Sequence, residues 1–179
     1  MTLRRVICVG AVLVAAAATT SCSVEQALAA PKCDGGSGLI AAQSVRTAQL
    51  VPCFRELPDG WSFAAVVINQ SGTVVRLDSD RAGDNAATFR FEPTCEVGES
   101  ASVPSTFPDV EQFESVEQLQ PSFRVHSYST FEGGCVTWVF DFDKGVSATE
   151  SVAVKESQDF ITREALNANI RETFIDEEI

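Results

Sequence analysis

One histidine, one methionine, one tyrosine and two tryptophans are spread over 179 residues, and 13 basic residues face 25 acidic ones. Each shortage excludes something. Any Ser-His-Asp site would have to use His126, and no Gly-x-Ser-x-Gly elbow exists to present its nucleophile. No Cys-x-x-Cys pair is present, so the cysteines and the lone histidine do not resemble a zinc site. No Gly-x-Gly-x-x-Gly or phosphate loop supports nucleotide use, and the sequence implies no cofactor. The scarcity of Lys and Arg argues against a nucleic-acid partner and against membrane binding through a basic patch, because a strongly negative chain repels both polyanions. No internal repeat is apparent. No apolar run reaches the roughly 20 residues of a membrane-spanning helix.

What is present begins with an export signal. Arg4 and Arg5 precede an unbroken small, apolar run of 13 residues from Val6 to Ala18, the n-region and h-region of a secretory signal peptide. Without those two arginines the balance is 11 basic against 25 acidic residues, near −14. Two cleavage sites compete. Ala18-Thr19-Thr20-Ser21-Cys22 looks like a bacterial lipobox, in which Cys22 becomes the acylated first residue, although Thr19 stands where Leu is usual. Ala27-Leu28-Ala29 before Ala30 fits ordinary signal peptidase, but 11 residues, Glu25 among them, separate Ala18 from that cut. Both cuts leave Cys33, Cys53, Cys95 and Cys135, an even set suited to an oxidising compartment. The pairing put forward is Cys33 with Cys53 and Cys95 with Cys135, out of three possible connectivities. The lipobox reading gives a signal over 1–21, a flexible tether over 22–38, one domain over 39–174 and an acidic, frayed tail over 175–179.

Within the domain, Pro52 suits the first turn of a short helix through Leu57. Pro58-Asp59-Gly60 then marks a turn, and strand patterns follow. Trp61 to Ile68 and Thr73 to Leu77 flank Asn69-Gln70-Ser71-Gly72 as a hairpin. Ala86 to Phe91 reads as a third strand, Glu96 to Asp109 as a long loop and Val110 to Val116 as a fourth strand. Phe123 to Phe131 alternates. Gly133-Gly134 turns the chain into Cys135 to Phe142, where Val136, Trp138, Phe140 and Phe142 share one face. Ala148 to Gln158 reads as a helix, and Thr162 caps a second one carrying Ala165, Leu166, Ile170 and Phe174. The expectation is an α+β domain, an antiparallel sheet of five to six strands packed against N- and C-terminal helices, with a helix over the Trp138 and Phe140 face.

Three polar groupings bear on chemistry. His126 lies in an alternating strand beside Arg124 and Tyr128, where a solvated histidine competes with a general base. Asp78-Ser79-Asp80-Arg81-Ala82-Gly83 starts like a calcium loop but carries Ala82 and Phe89 where the fifth and twelfth ligands belong. Asp141 and Asp143 share a strand face without a second catalytic pair near them. Asn69-Gln70-Ser71 is a glycosylation sequon, relevant only to a eukaryotic secretory pathway.

Taken together, Gly38-Leu39-Ile40-Ala41-Ala42-Gln43-Ser44-Val45, Pro52-Cys53 with Leu57-Pro58-Asp59-Gly60-Trp61, Leu77 to Gly83, and Gly133-Gly134-Cys135-Val136-Thr137 resemble a family of uncharacterised exported proteins of high-GC Gram-positive bacteria. The resemblance covers roughly residues 38 to 174 and implies bacterial export and a single domain; no activity comes with it. The expected function is a non-enzymatic binding or accessory protein on the outer face of the cell membrane. It would be lipid-anchored at Cys22 and engage an unknown envelope protein or ligand; a freely secreted protein is the other address. The alternatives are a carrier holding an apolar ligand between sheet and helices, and a hydrolase using His126.

Overall fold

The computed structural model describes residues 31–33, 37–143 and 145–175. Cys22, both cleavage sites and the tail from 176 onward lie outside the described residues. In chain order the elements are α1 (Ser37–Ser44), β1 (Leu50–Phe54), β2 (Trp61–Asn69), β3 (Gly72–Ser79), β4 (Gly83–Glu92), β5 (Ala101–Val103), β6 (Glu111–Gln118), β7 (Phe123–Phe131), β8 (Gly134–Phe142), α2 (Thr149–Lys155), β9 (Gln158–Thr162) and α3 (Arg163–Ile175).

Seven strands form one antiparallel sheet in the order β2-β3-β4-β8-β7-β6-β5. The chain runs β2 to β4 as a meander, crosses to the far edge, and returns from β5 so that β8 docks against β4. Alternation decides which face is buried. Phe89, Phe91, Val136, Trp138, Phe140 and Phe142 are each at most 1% exposed, and all point to the inner side. Large side chains buried this way contribute about 1.5 to 3 kcal/mol each.

The layer covering that face differs from the one expected. It is a two-stranded ribbon, β1 paired with β9, together with α2. Phe54 of β1 drives edge-on into Phe63, Phe89 and Trp138, with ring centroids 5.4, 5.1 and 5.9 Å apart. Val154 of α2 is fully buried in the same cluster. Opposite Phe54, Val51 packs with Ala42, Leu166 and Ile161, so the ribbon carries α1 and α3 on the side away from Phe54. α1 packs on β1 and on the ends of β2 and β3, whereas α3 rests on β9 and α1.

The expectation of terminal helices packed on a five- to six-stranded sheet is therefore corrected. The antiparallel sheet is there, with seven strands, but the β1–β9 ribbon and α2 cover its inner face, with α3 resting on β9 and α1 reaching β2 and β3. The helix over Pro52 to Leu57 is also corrected: Pro52 sits in β1 opposite Phe160. Proline is tolerated there because Gln49 and Arg55 bond to the β9 side, and alternation from them turns the Pro52 nitrogen away from β9. The helix expected to reach Gln158 ends at Lys155, and Gln158 opens β9 instead. Thr162 does cap α3: its Oγ1 accepts from Ala165 N–H at 3.1 Å.

Several polar devices fix the layers. Arg163 donates from Nε to Ala48 O at 2.7 Å and from Nη2 to Val45 O at 2.8 Å and Ala42 O at 3.1 Å, satisfying carbonyls at the end of α1. The β7–β8 turn is drawn onto the chain after α1, where Thr47 Oγ1 donates to Gly133 O at 2.6 Å. Gly133 has φ +71°, and a Cβ there would lie 2.0 Å from Thr47 O, so only glycine fits. Cys33 is bonded to Cys53 and Cys95 to Cys135, the pairs put forward from the sequence. The first bridge ties on Pro31 to Cys33, whose backbone also bonds Phe54: Phe54 N donates to Pro31 O at 2.7 Å and Cys33 N to Phe54 O at 3.2 Å. Those three residues, assigned to the tether by sequence, belong to the fold.

Candidate functional site

Among the described residues, aromatic rings pack closely around Trp138 on the inner side. That indole is 1% exposed, stacked on Phe140, met edge-on by Phe54 and Phe89, and donates Nε1–H to Gln158 Oε1 at 2.5 Å. The space an apolar ligand needs at this face is filled by rings. Farther along, a surface cleft of about 580 Å³ opens between α2, β9, β6 and the loop bearing Phe107. Two of its cations are already paired with carboxylates beside it: Lys155 Nζ meets Glu114 Oε1 at 2.5 Å and Arg55 Nη2 meets Asp159 Oδ2 at 2.7 Å. Such pairs close a cleft more than they equip it.

The outer face is different. β-pairing places residues from all seven strands in rows, because side chains directly opposite in an antiparallel sheet lie on the same side. One row runs Val67, Val74, Arg90, Thr137, Tyr128, Phe113, Ser102. The next runs Ala65, Arg76, Thr88, Val139, His126, Ser115. Neither row contains a carboxylate. Acidic residues flank them: Glu92 and Glu111 on one side, Asp78 and Asp141 on the other. Arg76 and Arg90 are exposed and sit diagonally on neighbouring strands; among the described residues neither has an ion-pair or hydrogen-bond partner. In a chain of net charge −12 this is a local reversal of sign.

His126 lies in the second row. Its Nε2 is 3.5 Å from Glu117 Oε1, and its Nδ1 is 3.3 Å from the Tyr128 hydroxyl. No serine or threonine hydroxyl bonds to it among the described residues, and the neighbouring Asp141 is taken by Arg124 Nη2 at 2.8 Å. The hydrogen bond from that guanidinium to Asp141, with the Asp141 charge itself, holds Arg124 above its ordinary pKa, so it stays cationic. Histidine, carboxylate and cation thus lie together on an exposed sheet face, with Ser115 opposite the histidine but not hydrogen-bonded to it among the described residues.

The two remaining sequence candidates resolve as turn structure. Asp78 Oδ1 accepts Asn85 N–H at 2.7 Å, and Ser79 Oγ accepts the N–H groups of Arg81 at 3.3 Å and Ala82 at 3.2 Å, closing the β3–β4 turn. Arg81 is held by Glu150 at 2.7 Å, and that hydrogen bond raises its pKa. Asp141 pairs with Arg124 rather than Asp143. Among the described residues no group of three or more His, Cys, Asp or Glu is placed to hold a metal ion, and no helix is long and apolar enough to cross a membrane.

The arginine-bearing rows were missed from sequence. Arg76 and Arg90 are 14 positions apart and become neighbours only through the β3–β4 register. Tyr128 and Thr137 join them through the pairing of β8 with β4 and β7. The chain matches no protein-family model, no curated protein and no solved structure.

Proposed function

We propose that the chain is an exported bacterial envelope domain of non-enzymatic, binding or accessory type, anchored by lipid at Cys22, with the open sheet face as its recognition surface. The observation that carries this reading is the acid-free pair of rows around Arg76 and Arg90. Two exposed guanidiniums with no internal partner, bordered by Tyr128, Thr88 and Thr137, suit a partner that brings anionic groups. Two disulfides support an extracytoplasmic address, since such bonds persist in oxidising compartments. The apolar run and the lipobox-like Ala18 to Cys22 support the anchor. Membership of the uncharacterised exported family of high-GC Gram-positive bacteria is part of the same proposal.

Intact mass of the protein recovered from its host membrane, with free thiols alkylated, tests the address. A chain beginning at Cys22 with acyl groups and no alkylation is expected; one beginning at Ala30, or found only in the medium, removes the anchor. A photo-crosslinker at the half-buried Thr88, opposite Arg76, tests the face. Adducts in the native envelope that vanish on replacing Arg76 and Arg90 with Ala support it, and adducts indifferent to that change sink it.

A further inference from the structure

The two edges of the seven-stranded sheet are unlike. At one edge β5 is three residues long, and Pro104 follows it directly. At the other, β2 runs nine residues, Trp-Ser-Phe-Ala-Ala-Val-Val-Ile-Asn, without a charge. Exposed edges are ordinarily blunted by Lys, Pro, bulges or brevity, because their unpaired N–H and C=O groups template another strand. β2 carries a single such device, the register shift between Phe63 and Ala65, and that leaves Ala65 to Asn69 regular.

The orientation of the open groups follows from the hairpin. Asn69 pairs with Gly72 across a two-residue loop, and such a closing pair must exchange its hydrogen bonds. Alternation then aims the N–H and C=O of Val67 and Ala65 at β3 and those of Val66 and Ile68 outward. Among the described residues no backbone or side-chain group bonds to these outward groups. Midway between them, Val67 is 37% exposed on the outer face.

We infer that β2 is a self-association edge: two copies of this chain pair their β2 strands antiparallel about a two-fold axis at Val67, fusing two sheets into one. The occupant is a second copy because the segment matches itself. With Val67 opposite its own copy, Val66 meets Ile68 and Ile68 meets Val66, which satisfies the outward groups with about four backbone hydrogen bonds. Asn69 meets Ala65, so the paired stretch ends where the turn begins on one side and the bulge on the other. A two-fold contact sets equivalent residues near one another, so a charge at its centre would meet its like; β2 has none. On the outer face Val74 and Val67 of both copies form one apolar strip.

The test is disulfide trapping in the full chain isolated from its host. Under mild oxidation Val67→Cys should give a covalent dimer, since residues at a non-hydrogen-bonded antiparallel pair are within bridging distance. Val116→Cys, a more accessible strand valine at 54% exposure, should not. Sedimentation of the unsubstituted chain should show a monomer–dimer equilibrium in about the micromolar range, as befits a small interface. Val67→Lys should weaken it at least about tenfold while leaving the monomer's circular dichroism unchanged. Because both copies are acidic, raising salt should strengthen this dimer; contact through the arginine rows would weaken instead. Equal trapping at positions 67 and 116, weakening by salt, or a monomer at every concentration up to about 1 mM would overturn the inference.

Discussion

Replacing Gln158 with Leu should destabilise the fold by about 2 kcal/mol. Gln158 is 5% exposed, and its Oε1 accepts the Trp138 indole N–H in the space between ribbon and sheet. Leucine of similar volume keeps the ribbon packed but removes the acceptor, stranding a buried donor at a cost of about 1 to 3 kcal/mol. Trp138→Phe makes the opposite lesion: it deletes the donor and part of a ring that four neighbouring rings and side chains enclose, costing about 3 kcal/mol. In the double variant neither polar atom is stranded. It should therefore be less destabilised than the sum of the single changes by about 1 to 2 kcal/mol. Urea unfolding followed by far-ultraviolet circular dichroism measures all three. With a slope of about 1 to 3 kcal/mol/M, Gln158→Leu should lower the midpoint by about 1 M. If Gln158→Leu unfolds within about 0.5 kcal/mol of the unsubstituted chain, or if the two substitutions simply add, the bond does not hold the ribbon to the sheet.

Three further outcomes are expected. Gly133→Ala should cost about 3 kcal/mol, because φ +71° and the 2.0 Å approach to Thr47 O both penalise a Cβ; thermal unfolding checks it. Removing the Cys95–Cys135 bridge by paired Ser substitution should cost about 4 kcal/mol, and removing Cys33–Cys53 about 3 kcal/mol, since the loops they close span 40 and 20 residues. Equal losses in denaturant would refute the loop-length argument. Arg163→Lys should behave like Arg163→Met in denaturant unfolding, because one ammonium cannot span three carbonyls that the guanidinium fork reaches; full rescue by Lys would show that charge alone suffices.

How much was legible in the sequence depended on how far away each element finds its partner. β8 and the β2–β3 hairpin were readable because their alternation and turn lie within a few residues of each other. β1 was misread because Pro52 is a helix-start signal locally, whereas burial on both faces of the ribbon decides its conformation. β9 was missed, with Gln158 read as the end of the preceding helix and Thr162 only as a cap, because its pairing partner lies more than 100 positions earlier. β5, three residues beside Pro104, carries too little pattern to distinguish from a loop. For the site, His126 was visible as a lone histidine, but Glu117 reaches it from β6. The arginine rows depend on strand registers that no local window contains.

The β1–β9 ribbon joins residues near the two ends of the described fold: Leu50 faces Thr162 and Phe54 faces Gln158. A chain delivered from its N-terminus can complete the β2–β3–β4 meander early, since those contacts are local. It cannot cap Trp138 until Gln158 has arrived, and closing so long a loop is slow. The same arrangement makes the sealing of the core a late step of folding. Its penalty is an exposed aromatic face throughout that interval, and a truncation anywhere before Gln158 leaves that face uncovered for good.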